Sequence, residues 1–189
     1  GSLGAFRGSY AGETISDGPA GDALASQVAA LRKQKGLVGL AAMVSVDGQL
    51  VATAVDGERK KGSGKAIELG DQWHLGSITK SITATLIARL VESGQMQWSD
   101  TVGECFADAA VHEDWKPVKL RQLLTHTAGA PANFPYRVRA KQPLLGEDCT
   151  RERREAVLEV LAEKPMHPPG ETHAYSNVGY TIAGAMAEA

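Results

Sequence analysis

Ser77-Ile78-Thr79-Lys80 sets a hydroxyl and an amine three residues apart, where an apolar-periodic stretch begins. Residues at that spacing are neighbours on a helix surface, so Lys80 can reach Ser77 through local geometry alone. A serine hydroxyl is a weak nucleophile until a neighbouring base takes its proton. An amine can be that base once its surroundings lower its pKa. A serine at a helix start also faces unpaired backbone N–H groups and the positive end of the helix dipole, both of which favour a developing oxyanion. The pair therefore suggests covalent catalysis at Ser77. The plain alternative is a serine cap beside a surface lysine, since about one Ser-x-x-Lys match is expected by chance in a chain of ordinary composition and this length.

A second group lies far along the chain, at Tyr175-Ser176-Asn177, just after the rigid Pro168-Pro169-Gly170 turn. A phenol beside an amine can relay a proton to a leaving group. An amide side chain can orient a substrate carbonyl or hold the lysine. Structurally, the same residues could be an aromatic packing residue followed by a helix cap at Asn177, which precedes the run Val178, Ile182, Met186.

The elements that must position these groups are legible from periodicity. Leu24, Val28 and Leu31 predict a helix of about three turns, stopped by Gly36. The apolar runs 37–46 and 49–55, separated by Asp47-Gly48, predict a β-hairpin, because both central turn positions need positive φ. The first run does not alternate, which predicts a strand covered on both faces. Residues 57–70 read as a solvent loop. Ile78, Ile82, Leu86 and Leu90, flanked by Ile87 and Val91, predict a buried helix from Ser77 to Ser93, ended by Gly94. A short helix is expected over 118–124, then a turn at Thr127-Ala128-Gly129. Thr150 is read as the cap of a helix carrying Val157, Val160 and Leu161 that Pro165 ends, and a last helix begins at Val178. The organisation expected is an irregular arm over 1–20, a helix and hairpin over 21–76, and a mainly helical domain over 77–189.

Composition bounds the rest. The chain has 189 residues, 43% hydrophobic and 22% charged, enough for a packed core. With 20 basic and 22 acidic residues the net charge is −2, and no basic stripe argues for nucleic acid. Arg151-Glu152-Arg153-Arg154-Glu155 mixes signs as a solvated helix face does. Cys105 and Cys149 lack a disulfide-framework spacing and are read as two buried thiols, with one disulfide as the alternative. No stretch approaches the ~20 apolar residues of a transmembrane helix. His74, His112, His167 and His173 show no metal-ligand spacing, so no metal is expected, and nothing implies an organic cofactor.

Three ordered segments resemble the serine β-lactamase-like, penicillin-binding family, within it the class C β-lactamase, D-alanyl-D-alanine carboxypeptidase and family VIII esterase group. They are Trp73-His74-Leu75-Gly76-Ser77-Ile78-Thr79-Lys80, Leu123-Leu124-Thr125-His126-Thr127-Ala128-Gly129, and Pro169-Gly170 leading into Tyr175-Ser176-Asn177-Val178-Gly179-Tyr180. The resemblance runs from about Leu24 to the chain end. It implies an α/β (α+β) fold, an antiparallel sheet flanked by helices plus a helical domain. It implies that Ser77 is acylated, that Lys80 accepts its proton or shares it with Tyr175, that Tyr175 is general acid or base, and that Asn177 binds the carbonyl side of the substrate. His126 is implied to support a turn. Substrates implied are a β-lactam, a D-Ala-D-Ala peptide of peptidoglycan type or a small ester, in a periplasmic or secreted setting, although no signal peptide is visible. Oligomeric state is left open.

Two positions depart from the family pattern: Lys119 stands where Thr often caps, and Ser176 stands where typical class C lactamases have Ala. No Lys-Thr-Gly or His-x-Gly triplet follows Tyr175, and a lone hairpin is marginal in water. Gly1-Ser2 has the look of a cleavage scar. These features lead to the expectation that the sequence is the N-terminal portion of a longer protein, with its sheet incomplete. The competing readings are a penicillin-binding sensor or scaffold that does not turn over, an inactive fragment, and a helical interaction domain whose motifs arose by chance.

Overall fold

The computed structural model describes residues 18–139 and 149–189; the expected arm over 1–20 lies almost wholly outside them. Contacts divide the chain into two units, one ending at His74 and one beginning at Leu75.

The first unit is a helix on a hairpin. Helix α1 (Pro19–Lys35) starts with proline in its first turn and ends at Gly36, whose left-handed φ of 61° lets Leu37 N–H bond back to the Arg32 carbonyl at 3.0 Å. Its 17 residues exceed the three turns expected, because Pro19 and not the first periodic leucine marks its start. Strands β1 (Gly39–Val46) and β2 (Gln49–Gly57) pair antiparallel, with Val46 opposite Gln49. Asp47 and Gly48 between them have φ of 51° and 76°, as the turn chemistry requires. α1 packs on the hairpin, where Val28, Ala52 and Ala54 are buried. β1 departs from expectation: Met43 is 70% exposed, and Val44 and Val46 are exposed too. A single helix supplies one covering layer, and the non-alternating run gains no second one among the described residues. The loop after β2 is tied rather than free, since Glu58 bridges to Ala66 and Arg59 bonds Asp71 at 2.7 Å.

The second unit is helical. A 3-10 turn over Gly76–Ile78 leads into α2 (Thr79–Glu92). There follow α3 (Val102–Cys105), α4 (Leu120–Leu124), α5 (Tyr136–Arg139), α6 (Cys149–Leu161) and α7 (Asn177–Glu188). α7 lies at the centre and packs on α2, α4 and α6. Its Val178, Ile182 and Met186 join Leu120, Leu123, Trp115, Phe106, Val157 and Leu161 in one core. Trp115 is fully buried with its indole N–H on the Glu163 carbonyl at 2.8 Å.

Further expectations are corrected here. α2 is not buried along the Ile78/Ile82/Leu86 stripe, whose members are 66%, 56% and 55% exposed. Its inward residues are Ile87, fully buried, with Leu90 and Val91 against the core. Lys80, Ala84, Ile87 and Val91 form the parallel stripe of the same helix, and that face meets α7. Thr150 is the second residue of α6 rather than its cap; its hydroxyl faces Glu188 at 3.5 Å, and the preceding position lies outside the described residues. α6 ends at Leu161, four residues before Pro165, with its last apolar turn, Val157, Val160 and Leu161, buried. No disulfide joins Cys105 to Cys149. Burial raises the Cys105 thiol pKa, with Asp100 and Glu104 adding to the effect.

Candidate active site

Ser77 sits in the 3-10 turn that feeds α2, and Lys80 sits one turn later on the face that meets α7. Lys80 Nζ donates to Ser77 Oγ at 3.3 Å and to Asn177 Oδ1 at 2.6 Å. Tyr175 OH donates to Ser77 Oγ at 2.7 Å. The structure thus brings Ser77, Lys80, Tyr175 and Asn177 into one hydrogen-bonded cluster, although nearly a hundred residues separate its halves. Ser77, Tyr175 and Asn177 are exposed and Lys80 is partly buried.

The Lys80 ammonium lies 4.9 Å from the Tyr175 ring centroid and 5.6 Å from that of Tyr180. Hydrogen bonding to Lys80 foremost, then to Ser77, holds the Tyr175 phenol below its ordinary pKa. A phenol that loses its proton more readily than usual is a better proton acceptor for a neighbouring hydroxyl once ionised, and the same oxygen can return the proton to a leaving group.

Ser176 rather than Asn177 caps α7. Its side chain is 1% exposed; Oγ accepts from Gly179 N–H at 2.8 Å and donates to the Pro131 carbonyl at 2.6 Å. Asn177 is the first residue of the helix, which frees its side chain for Lys80. Its amide is fixed from the other side, with Nδ2 donating to Asn133 Oδ1 at 2.7 Å and its backbone N–H bonding the Ala132 carbonyl at 2.9 Å.

The turn over 125–129 holds the tyrosine segment. Ala174 N–H bonds the His126 carbonyl at 2.8 Å, and Ser176 N–H bonds His126 Nδ1 at 3.1 Å. Gly170 N–H reaches the Thr127 carbonyl at 2.7 Å, and Met166 N–H reaches the Gly129 carbonyl at 2.8 Å. Gly129 has φ of 75°, and a Cβ there would stand 2.1 Å from the His167 carbonyl oxygen, so only glycine fits. At Lys119, the departure from the family pattern, the backbone N–H that opens α4 is capped by Gln122 Oε1 at 2.8 Å. Sequence reasoning missed Asn133, since nothing local marks an asparagine 44 residues from its partner. It also placed the cap one residue late; the buried pairing of Ser176 is a tertiary fact.

A turn that carries Ser77, a helix that presents Lys80 to it, and a tyrosine delivered by a distant turn thus meet at one hydroxyl. The Beta-lactamase family model matches residues 24–189, and the chain belongs to that family. Among similar curated proteins, Penicillin-binding protein 4 of Amycolatopsis lactamdurans is 30% identical over 161 residues, covering 84% of this chain and 40% of that protein. The D-alanyl-D-alanine-carboxypeptidase/endopeptidase AmpH of Escherichia coli (strain K12) is 28% identical, covering 78% of this chain and 38% of that protein. Among solved structures, SurE with D-Leu aligns at a TM-score of 0.71 and 25% identity, covering 88% of this chain and 35% of that one. D-alanine carboxypeptidase AmpC from Burkholderia cenocepacia aligns at 0.63 and 26%, covering 88% and 43%. The fold is therefore β-lactamase/transpeptidase-like, here as helices plus a two-stranded antiparallel sheet. The chain spans about 40% of the length of the curated relatives it matches. Among the described residues, no helix is long and apolar enough to cross a membrane.

Proposed function

We propose that this chain carries the acylating centre of a serine hydrolase that opens amide or ester carbonyls through an acyl-enzyme. The observation that carries the reading is the bonding around one oxygen: Ser77 Oγ accepts from both Tyr175 OH and Lys80 Nζ. In the reactive form one of the two has given up its proton and accepts from Oγ instead, and as the Oγ–carbon bond forms the hydroxyl proton passes to that group, Lys80 or Tyr175. The tetrahedral adduct then collapses, the bond to the leaving group breaks, and the leaving group takes the proton through Tyr175. Water attacks the ester carbonyl as the same groups take its proton, the bond from the carbonyl carbon to Oγ breaks, and that proton returns to Oγ to restore Ser77. Positioned proton transfer of this kind contributes ~10²–10⁴-fold. Asn177, held between Lys80 and Asn133, is proposed to bind the substrate's carbonyl side and to fix the lysine. The mechanism needs neither metal nor organic cofactor. The names of the relatives support a small-molecule or peptidoglycan-type substrate, a β-lactam or a D-alanyl peptide before a simple ester.

The exposure of Ser77 and Tyr175 favours one second reading, a penicillin-binding module that is acylated and does not turn over. Electrostatic stabilisation of an oxyanion is weaker where water competes. Intact mass measurement after a fluorescent penicillin or a fluorophosphonate decides. A single adduct in the wild type, absent in Ser77→Ala, is expected. Release of the adduct with nitrocefin turnover marks the hydrolase, and a persistent adduct marks the binder. An unmodified Ser77 with every probe overturns both.

A further inference from the structure

We infer that His126 is a positioning residue for the proposed reaction, and that it holds Tyr175 against Ser77 only while its Nδ1 is unprotonated. The inference rests on the acyl-enzyme reading of Ser77 and deepens it. The geometry is specific. His126 Nδ1 is the acceptor for Ser176 N–H at 3.1 Å, and the His126 carbonyl is the acceptor for Ala174 N–H at 2.8 Å. Tyr175 is therefore bracketed by two bonds to one residue. The imidazole also lies against the Tyr175 ring, with centroids 4.6 Å apart and planes at 36°.

An imidazole nitrogen that accepts a hydrogen bond carries no proton; protonation turns it into a donor facing a donor. The Ser176 amide then loses its partner, and the bracket around Tyr175 opens on one side. The groups that face His126 oppose that proton. His173 presents its ring edge-on at 5.8 Å from the segment before Tyr175. Tyr180 of α7 lies 5.2 Å away, ring to ring. Lys80 of α2 adds a positive charge, and among the described residues no carboxylate acts on His126 beside it. Burial foremost, then His173 and Lys80, lowers the His126 pKa from its ordinary 6.5. The sign follows. The acceptor form dominates at neutral pH, and the bracket is lost as pH falls below the ordinary imidazole range.

The test uses wild type, His126→Asn and His126→Ala. Asparagine tolerates the left-handed backbone (φ 59° at His126), offers Oδ1 near the position of Nδ1, and does not titrate. Two readouts are taken. In the first, NMR follows the His126 ring proton and the Ser176 amide against pH. The amide is expected to shift at the His126 titration point in the wild type and to stay fixed there in His126→Asn. In the second, acylation of Ser77 by a fluorophosphonate is timed from pH 8 to pH 4.5. The ratio of His126→Asn to wild-type rates should be flat above the His126 titration point and rise below it, by at most about tenfold per pH unit, as the wild type loses the Ser176 bond. His126→Ala should be slower than His126→Asn at every pH. A Ser176 amide indifferent to His126 titration, or a rate ratio flat across the range, overturns the inference. If Ser77 is acylated at no pH, the acyl-enzyme reading falls, and the amide titration alone still decides what His126 does.

Discussion

Ser176→Ala removes one oxygen that serves two bonds at the root of α7, and its cost can be worked from them. Oγ caps the helix by accepting Gly179 N–H at 2.8 Å, and loss of a serine cap costs about 1 kcal/mol. The same oxygen donates to the Pro131 carbonyl at 2.6 Å, and an orphaned, partly buried acceptor costs roughly 1–3 kcal/mol. The side chain is 1% exposed, so water does not simply replace it. The apolar methyl that remains returns a few tenths, leaving an expected loss of about 2–3 kcal/mol. For a chain of this size that is a fall in Tm of roughly 4–12 °C. Urea unfolding followed by far-UV circular dichroism measures it, with the m-value held unchanged as the check that only stability moved. The variant should also acylate more slowly, because Ser176 lies between Tyr175 and Asn177. A loss under about 0.5 kcal/mol would refute the reasoning, since it would mean that neither bond is made in solution. Lactamases that carry alanine at this place must, by the same logic, satisfy the carbonyl otherwise.

Other consequences of the structure can be measured directly. Lys80→Gln should raise the Tyr175 pKa toward its ordinary 10.0, read as phenolate absorbance at 295 nm after subtraction of Tyr175→Phe; an unmoved titration would show that Lys80 is not what depresses it. Gly129→Ala should destabilise by about 2–5 kcal/mol, from the left-handed φ and the collision with the His167 carbonyl, and should lower the chemical denaturation midpoint accordingly. On α2, Ile82→Ser should change unfolding stability by no more than about 0.5 kcal/mol, whereas Leu123→Ala in the core should cost about 2–5 kcal/mol. Equal losses at the two positions would mean that the Ile78/Ile82/Leu86 face is packed in solution.

What could be read from the sequence divides by the range of the interaction. The Asp47-Gly48 turn, the stop at Gly36 and the Ser77–Lys80 pair are local, and each is dictated by backbone geometry within four residues. The face that α2 buries is not local in this sense. Ile78, Ile82 and Leu86 are the most apolar stripe, but periodicity reports amphipathicity and not which partner is present. The partner, α7, takes the neighbouring stripe through Lys80, Ile87 and Val91. Helix α3 escaped notice although Thr101-x-x-Glu104 is a capping box, with Thr101 N–H on Glu104 Oε2 at 2.8 Å, because only four residues follow the signal. Asn133 and the Ser176–Pro131 bond carry no sequence signal at all, since they exist only once the turn over 125–129 and α7 have docked.

That division bears on how the site can work. Ser77 and Lys80 would meet on any helix, yet a hydroxyl and an amine at that spacing are common and mostly inert. The difference here is Tyr175, which owes its place to nothing near Ser77. It is set by His126, by the cap at Ser176 and by Gly129, which alone permits the close approach of the 165–170 segment. Each is a stability feature by its bonds and, on the proposed mechanism, a positioning feature by its consequence. Perturbing them should therefore lower stability and acylation together, whereas exchanging Tyr175 for phenylalanine should lower acylation alone. Such a separation would place the chemistry in the phenol oxygen and its aim in the turn behind it.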